Sequence, residues 1–200
     1  MRKTIFLIIA IIVVATMIDW SKSCSEVKTD KELFLEKLTY DNLYEYKDPD
    51  YDFAIRYPSF FNQQYDSLNE DTGCARFVYN DQWVTIVLEG YMMDRQGQDA
   101  KSAADSLAKT LHATDVKLGK DYFILSGPQY ENGGRIDNYS HYSKFIGNGK
   151  FWFVYTMIYP DSYHDVLSRL FKEIDEWQIW ERPRLELKQG ESQTPRAVSE

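Results

Sequence analysis

Hydrophobic and polar positions alternate in twos along most of this chain, and the period lengthens to that of a helix in only a few places. Leu33, Phe34 and Leu38 suggest a short helix over Lys31–Leu38, and Leu43–Tyr46 a first strand. In Tyr51–Pro58, Phe53, Ile55 and Tyr57 fall on one face and Asp52 and Arg56 on the other, with Pro58 as the stop. Phe60–Asp71 has no clean period and reads as a loop with one helical turn. Cys74–Tyr79 and Trp83–Tyr91 read as an antiparallel hairpin, the second strand apolar on both faces. From Asp99 to Leu111 the period becomes helical, with Ala100, Ala103, Ala104, Leu107, Ala108 and Leu111 in one stripe. Short strands follow at Val116–Leu118 and Tyr122–Ser126, the second ended by Gly127-Pro128. Asn132-Gly133-Gly134 is a tight turn into a strand over Ile136–Ile146, and Gly147–Lys150 is a hairpin turn. Phe151–Tyr159 is the most apolar strand and is expected at the sheet centre. A last helix is expected over Tyr163–Glu176, started by a capping box Ser162-x-x-Asp165 and buried along Val166, Leu167, Leu170, Phe171, Ile174 and Trp177. The sum is an α+β domain with an antiparallel sheet of about six to seven strands.

The two ends depart from this pattern. Arg2 and Lys3 precede an apolar run from Ile5 to Ile18, and a polar tract leads to Cys24. Residues 1–23 read as a signal peptide or N-terminal membrane anchor. Fourteen helical residues reach about 21 Å, against about 30 Å of bilayer core, which favours a removable signal. Ser21 and Ser23 fit ordinary cleavage, and Cys24 is a possible lipidation site although Ser21 and Lys22 depart from a lipobox. Each outcome places the domain outside the cytoplasm, exported to the periplasm or attached to a membrane in the cell envelope. Residues 24–29 form a spacer, 30–184 the single α+β domain, and 185–200 a polar tail expected to be disordered.

Removing residues 1–23 takes away three bases and one acid, leaving 20 Lys+Arg against 30 Asp+Glu and a net charge of −10. That balance argues against nucleic acid and anionic lipid as partners, although a lipid or N-terminal anchor would still hold the domain at a membrane. Cys24 and Cys74 are too few for a disulfide framework. Cys24 is acylated, bridged to Cys74 or free, and Cys74 itself reads as a partly buried thiol in a strand.

The stretch Phe53-Ala54-Ile55-Arg56-Tyr57-Pro58 resembles the opening F-x-I-x-Y-P strand of the PsbP/Mog1-like proteins. The strands around Phe77 and Val84–Leu88, the helix Ala100–Leu111, the segment Gly119–Gly127, the turn Gly147–Lys150 and Met157-Ile158-Tyr159-Pro160 follow in the same order. The resemblance covers about Tyr51 to Trp180. It implies an α/β/α sandwich around an antiparallel sheet and a role that is mostly non-enzymatic, as in photosystem accessory proteins, a nuclear transport factor and small bacterial lipoproteins. The leader and the acidic charge favour the bacterial exported or lipoprotein branch. No functional residue carries across.

Few residues point to chemistry. His112, His141 and His164 are spaced by 29 and 23 residues, which matches no local metal motif. Asp137, Tyr139 and His141 are expected on one strand face, a polar patch or a weak general acid–base site. Asp66, Glu70 and Asp71 share a loop without calcium-loop spacing. No nucleophile elbow and no phosphate loop is present, and no cofactor or metal is expected. Aromatic residues are the better binding candidates. Tyr139, His141 and Tyr142, with Trp152 and Tyr155 on the next strand, form one patch, and Phe60, Phe61 and Tyr65 form another. The sequence thus favours a non-catalytic envelope protein that binds another protein or assists an assembly. The alternatives are a small-ligand-binding module and a hydrolase centred on His141.

Overall fold

The computed structural model describes residues 28–51, 53–64 and 73–179. The leader, Cys24, the loop residues 65–72 and the tail from 180 lie outside the described residues. The chain divides into two compact units, Met1–Tyr40 and Asp41–Glu200.

In the first unit, helix α1 spans Asp30–Tyr40. Thr29 and Glu32 form a capping box: the Thr29 backbone N–H donates to Glu32 Oε2 at 2.8 Å, and the Glu32 N–H to Thr29 Oγ1 at 3.3 Å. Lys28 and Glu36 are ion-paired at 2.6 Å. No helix among the described residues is long and apolar enough to cross a membrane.

The second unit is built on seven strands. They are β3 (Asn62–Gln64), β4 (Cys74–Asn80), β5 (Thr85–Asp94), β6 (Asp115–Leu118), β7 (Tyr122–Glu131), β8 (Gly134–Asn148) and β9 (Phe151–Pro160), in the spatial order β3-β4-β5-β9-β8-β7-β6. Every neighbouring pair is antiparallel. The most apolar strand, β9, stands in the middle as its composition requires. A separate ribbon, β1 (Leu43–Lys47) with β2 (Ala54–Pro58), pairs only with itself.

Strand alternation assigns each face of the sheet. On one face, Phe123, Leu125, Phe145, Trp152 and Val154 are covered by helix α2 (Ala100–Thr110), whose Ala103 and Ala104 bring its backbone close. Asp99 caps this helix, its Oδ1 accepting from the Ser102 N–H at 2.7 Å. The opposite face carries Phe77, Leu88, Phe153, Tyr155 and Met157, all buried. The β1–β2 ribbon and helix α3 (Ser168–Glu176) cover it. Tyr57 stacks on Phe77 with ring centroids 3.6 Å apart, the Tyr155 hydroxyl donates to the Arg56 carbonyl, and Trp177 Nε1 donates to the Ala54 carbonyl at 2.6 Å. The result is the expected α+β sandwich around an antiparallel sheet.

Several boundaries move for physical reasons. Asn62–Gln64 is a short polar edge strand rather than loop, held by backbone pairing to β4, which leaves no apolar pattern to read. Strand β5 begins at Thr85, so Trp83 lies in a turn. Strand β7 runs on through Gly127 and Pro128 to Glu131, with an irregularity between Pro128 and Tyr130 that accommodates the proline. A Cβ at Gly127 would lie 2.9 Å from the Thr114 backbone nitrogen, so the glycine marks close packing rather than a strand exit. The last helix is also two pieces: a 3-10 turn over Asp161–Val166, then α3 from Ser168, with no side-chain cap at either start. The three-residue period of that turn sets Tyr163 and Val166 on one buried side, which an α-helix started by the Ser162 capping box does not require.

Candidate functional site

The α2 side of the sheet is closed only over its apolar end. Beyond Leu125 and Val154 the same face continues as His141 and Ser143 on β8, Thr156 and Ile158 on β9, and Glu89 on β5. These residues floor a recess of about 330 Å³. Its walls are Tyr91, the end of α2, and Gln129 and Tyr130 of β7.

Helix α2 ends in a way that builds one wall. His112 adopts φ +52°, Ala113 N–H donates to the Ala108 carbonyl at 2.8 Å, and the helix closes with a left-handed residue. The His112 ring then stacks on Tyr130, with centroids 4.1 Å apart. No glycine announces this ending, so the sequence leaves His112 without an assignment.

His141 is 5% exposed. Its Nδ1 lies 3.3 Å from the Pro128 carbonyl, an atom that only accepts. Nδ1 therefore carries the proton, and Nε2 presents a lone pair. That Nε2 is buried without a hydrogen-bond partner. Burial holds the ring pKa below its ordinary value, against the opposing effect of the Pro128 carbonyl. Beside it, Ser143 Oγ and Thr156 Oγ1 bond to each other at 2.5 Å instead of to the imidazole. Burial, with Glu89 nearby, pushes the Tyr91 phenol up to about 12, so it stays protonated.

Glu89 is held from the neighbouring strand. Arg76 stands opposite it in the β4–β5 ladder, and Cys74 Sγ lies 3.8 Å from its Oε1. Cys74 is a half-buried thiol with no disulfide partner among the described residues, and its pKa is pushed up to about 11, first by burial and then by Glu89.

The sequence-selected rings are dispersed. Tyr142 faces away from His141, as strand neighbours must, and its hydroxyl donates to Asp175 Oδ1 at 2.5 Å. Burial and that carboxylate push its pKa upward. Tyr139 is partly buried, its hydroxyl accepting from the Thr85 N–H at 3.1 Å. Trp152 and Tyr155 are buried on opposite faces. His141 and Tyr142 are therefore buried on opposite faces of the sheet, and Tyr139 is partly buried. Nor does Asp137 join His141 by simple alternation, because Asn138 at φ +61° breaks the strand pattern where the β7–β8 register shifts. Phe61 is buried and Phe60 partly so. Both pack on Tyr79, at 5.9 and 5.6 Å between centroids. Tyr65, Cys24 and the Asp66, Glu70 and Asp71 loop lie outside the described residues. Among the described residues no cluster of His, Cys, Asp and Glu has metal-binding geometry.

The Phe60–Phe61–Tyr79 cluster lies beside a feature the sequence placed in a strand. Between β4 and β5, Asp81 Oδ1 accepts from the N–H groups of Trp83 and Val84 at 2.8 and 2.9 Å, and Tyr79 donates to Asp81 Oδ2 at 3.0 Å. Burial alone would raise the Asp81 pKa, but these bonds outweigh it and hold the carboxyl below its usual value. The turn is thus pinned, and it carries Trp83 at 77% exposure.

No family model matches the chain, and no curated protein does. Among solved structures it is similar to the solution structure of cyanobacterial PsbP (CyanoP) from Synechocystis sp. PCC 6803, at 12% identity over 76% of this chain and 94% of that one, with a TM-score of 0.47.

Proposed function

We propose that this is a non-catalytic, exported envelope protein that docks on another protein through the Trp83 turn. The observation that carries the reading is the exposure of Trp83 on a turn fixed by three hydrogen bonds to Asp81. Tryptophan offers a large contact area with few rotatable bonds, and a pre-ordered turn presents it at little entropic cost. The leader and Cys24 support delivery to the envelope, with acylation of Cys24 as the attachment.

Hydrolysis is the weaker reading because of how the His141 neighbourhood is wired. A general base needs a hydrogen bond to its nucleophile and an orienting partner. Here the orienting bond exists, but Ser143 and Thr156 satisfy each other. The test is capture of a partner from envelope extract by the mature protein and by Trp83→Ala. One stoichiometric partner lost in the variant supports the proposal. Equal capture by both proteins, or no capture under mild cross-linking, overturns it.

A further inference from the structure

We propose that strand β6 pairs edge to edge with β6 of a second copy of this chain, antiparallel and with the two-fold axis at Val116, so that Asp115 of each copy meets Lys117 of the other. This goes beyond the Trp83 contact and uses different residues.

The two edges of the sheet differ. β3 is three polar residues, whereas β6 is exposed along its whole length and carries Val116 and Leu118, 40% and 52% exposed. It holds no proline to block pairing. In an antiparallel ladder, residue pairs that exchange backbone bonds alternate with pairs that do not. Gly119 N–H donates to the Tyr122 carbonyl at 2.8 Å, which makes Lys117 and Ile124 the next exchanging pair. Val116 and Leu118 therefore turn their N–H and C=O groups to the open edge, where no further strand lies among the described residues. A strand laid there continues the ladder.

The side chains select a second copy as that strand. Val116 and Leu118 stand opposite Leu125 and Phe123, on the α2 side, and Asp115 and Lys117 stand opposite Ser126 and Ile124, on the other. Neither charge is in a salt bridge among the described residues, and Lys117 Nζ lies 5.6 Å from the centre of the Tyr142 ring. A two-fold contact pairs residue i with j and j with i. Only an axis passing through a residue brings the outward groups of both copies together. With the axis at Val116, the two valines exchange backbone bonds, their side chains meet, and Asp115 and Lys117 form two ion pairs across the axis. An axis at Lys117 would set like charges face to face. An axis at Leu118 would set Lys117 against Gly119 and form no ion pair. From Asp115 to Lys120 there are two bases and one acid, so the acid excess of the whole chain does not oppose the contact locally.

The experiment is oxidative disulfide cross-linking of the full chain in cell envelopes, with Val116→Cys as the test and Lys101→Cys on the exposed side of α2 as the control. A bond-exchanging pair holds its two Cα atoms about 5.5 Å apart, within reach of a disulfide. The expected result is a species of twice the chain mass from position 116 and none from position 101. Adding Asp115→Lys is expected to cut the yield from position 116 several-fold, because each Lys117 then faces a lysine. Adding Lys117→Asp to that variant is expected to restore the yield, since the swapped charges again pair across the axis. All these positions are exposed, so the variants keep the fold. Trp83→Ala leaves the yield unchanged, so failure here and failure of partner docking are separable. Four results would overturn the proposal: no doubled species from position 116, the same yield from position 101, an adduct from position 116 to a different protein only, or a yield that Asp115→Lys does not lower or the charge swap does not restore.

Discussion

Lys144 Nζ donates to the backbone carbonyl of Trp177 at 2.7 Å, reaching from the sheet to the chain just beyond the last helix. It also donates to the Asp175 carbonyl at 2.6 Å. A cation at a helix C-terminus satisfies carbonyls that have no partner within the helix. Burial lowers the Lys144 pKa, opposed by Asp175, so this arrangement is held at a cost in desolvation. Lys144→Met keeps the stem and removes both bonds. It is expected to destabilise the domain by about 2–3 kcal/mol, read as the shift in urea midpoint.

His141 predicts a pH dependence. Its folded pKa lies below the ordinary 6.5. As pH falls through that value, the unfolded chain takes up a proton that the folded ring refuses, so stability falls on acidification until the folded pKa is reached. Denaturation midpoints at pH 7.5 and 5.0 are expected to differ by less in His141→Gln than in the wild type. An unchanged difference counts against a buried neutral imidazole.

Gly90 sits where the ribbon crosses the sheet. A Cβ there would lie 2.9 Å from Ile55 Cγ2 and 3.1 Å from Phe53 Cε2. Gly90→Ala is expected to cost about 1–3 kcal/mol through overpacking, measured by thermal or urea unfolding. A neutral substitution would mean that the ribbon is held less closely than described.

Attachment to the envelope predicts a mass. Intact-protein mass spectrometry of the mature chain is expected to show a diacyl or triacyl addition at Cys24. An unmodified N-terminus, or one retaining residues 1–23, contradicts lipid attachment.

Much of the fold was legible because burial and strand period coincide. Phe53 and Ile55, the Ala103–Ala104 stripe and the apolar β9 all occupy the places their spacing requires. The sites were less legible. Tyr142 looked like a binding ring beside His141, but its polar atom is used by Asp175, a residue 33 positions away. Trp83 looked like strand because its neighbours alternate, whereas Asp81 bonds turn the backbone there. The recess depends on His112 entering the left-handed region without glycine and on Pro128 tolerated inside a strand, and neither is written in a local pattern.

Docking through Trp83 is tested most directly by placing a photo-crosslinking amino acid at that position in cells, with the exposed Lys101 of α2 as the control site. Trp83→Ala is itself expected to change stability by no more than about 0.5 kcal/mol, so folding does not confuse the result. The account predicts one discrete protein adduct from position 83 and none from position 101. No adduct at 83, or the same adducts from both positions, would contradict it.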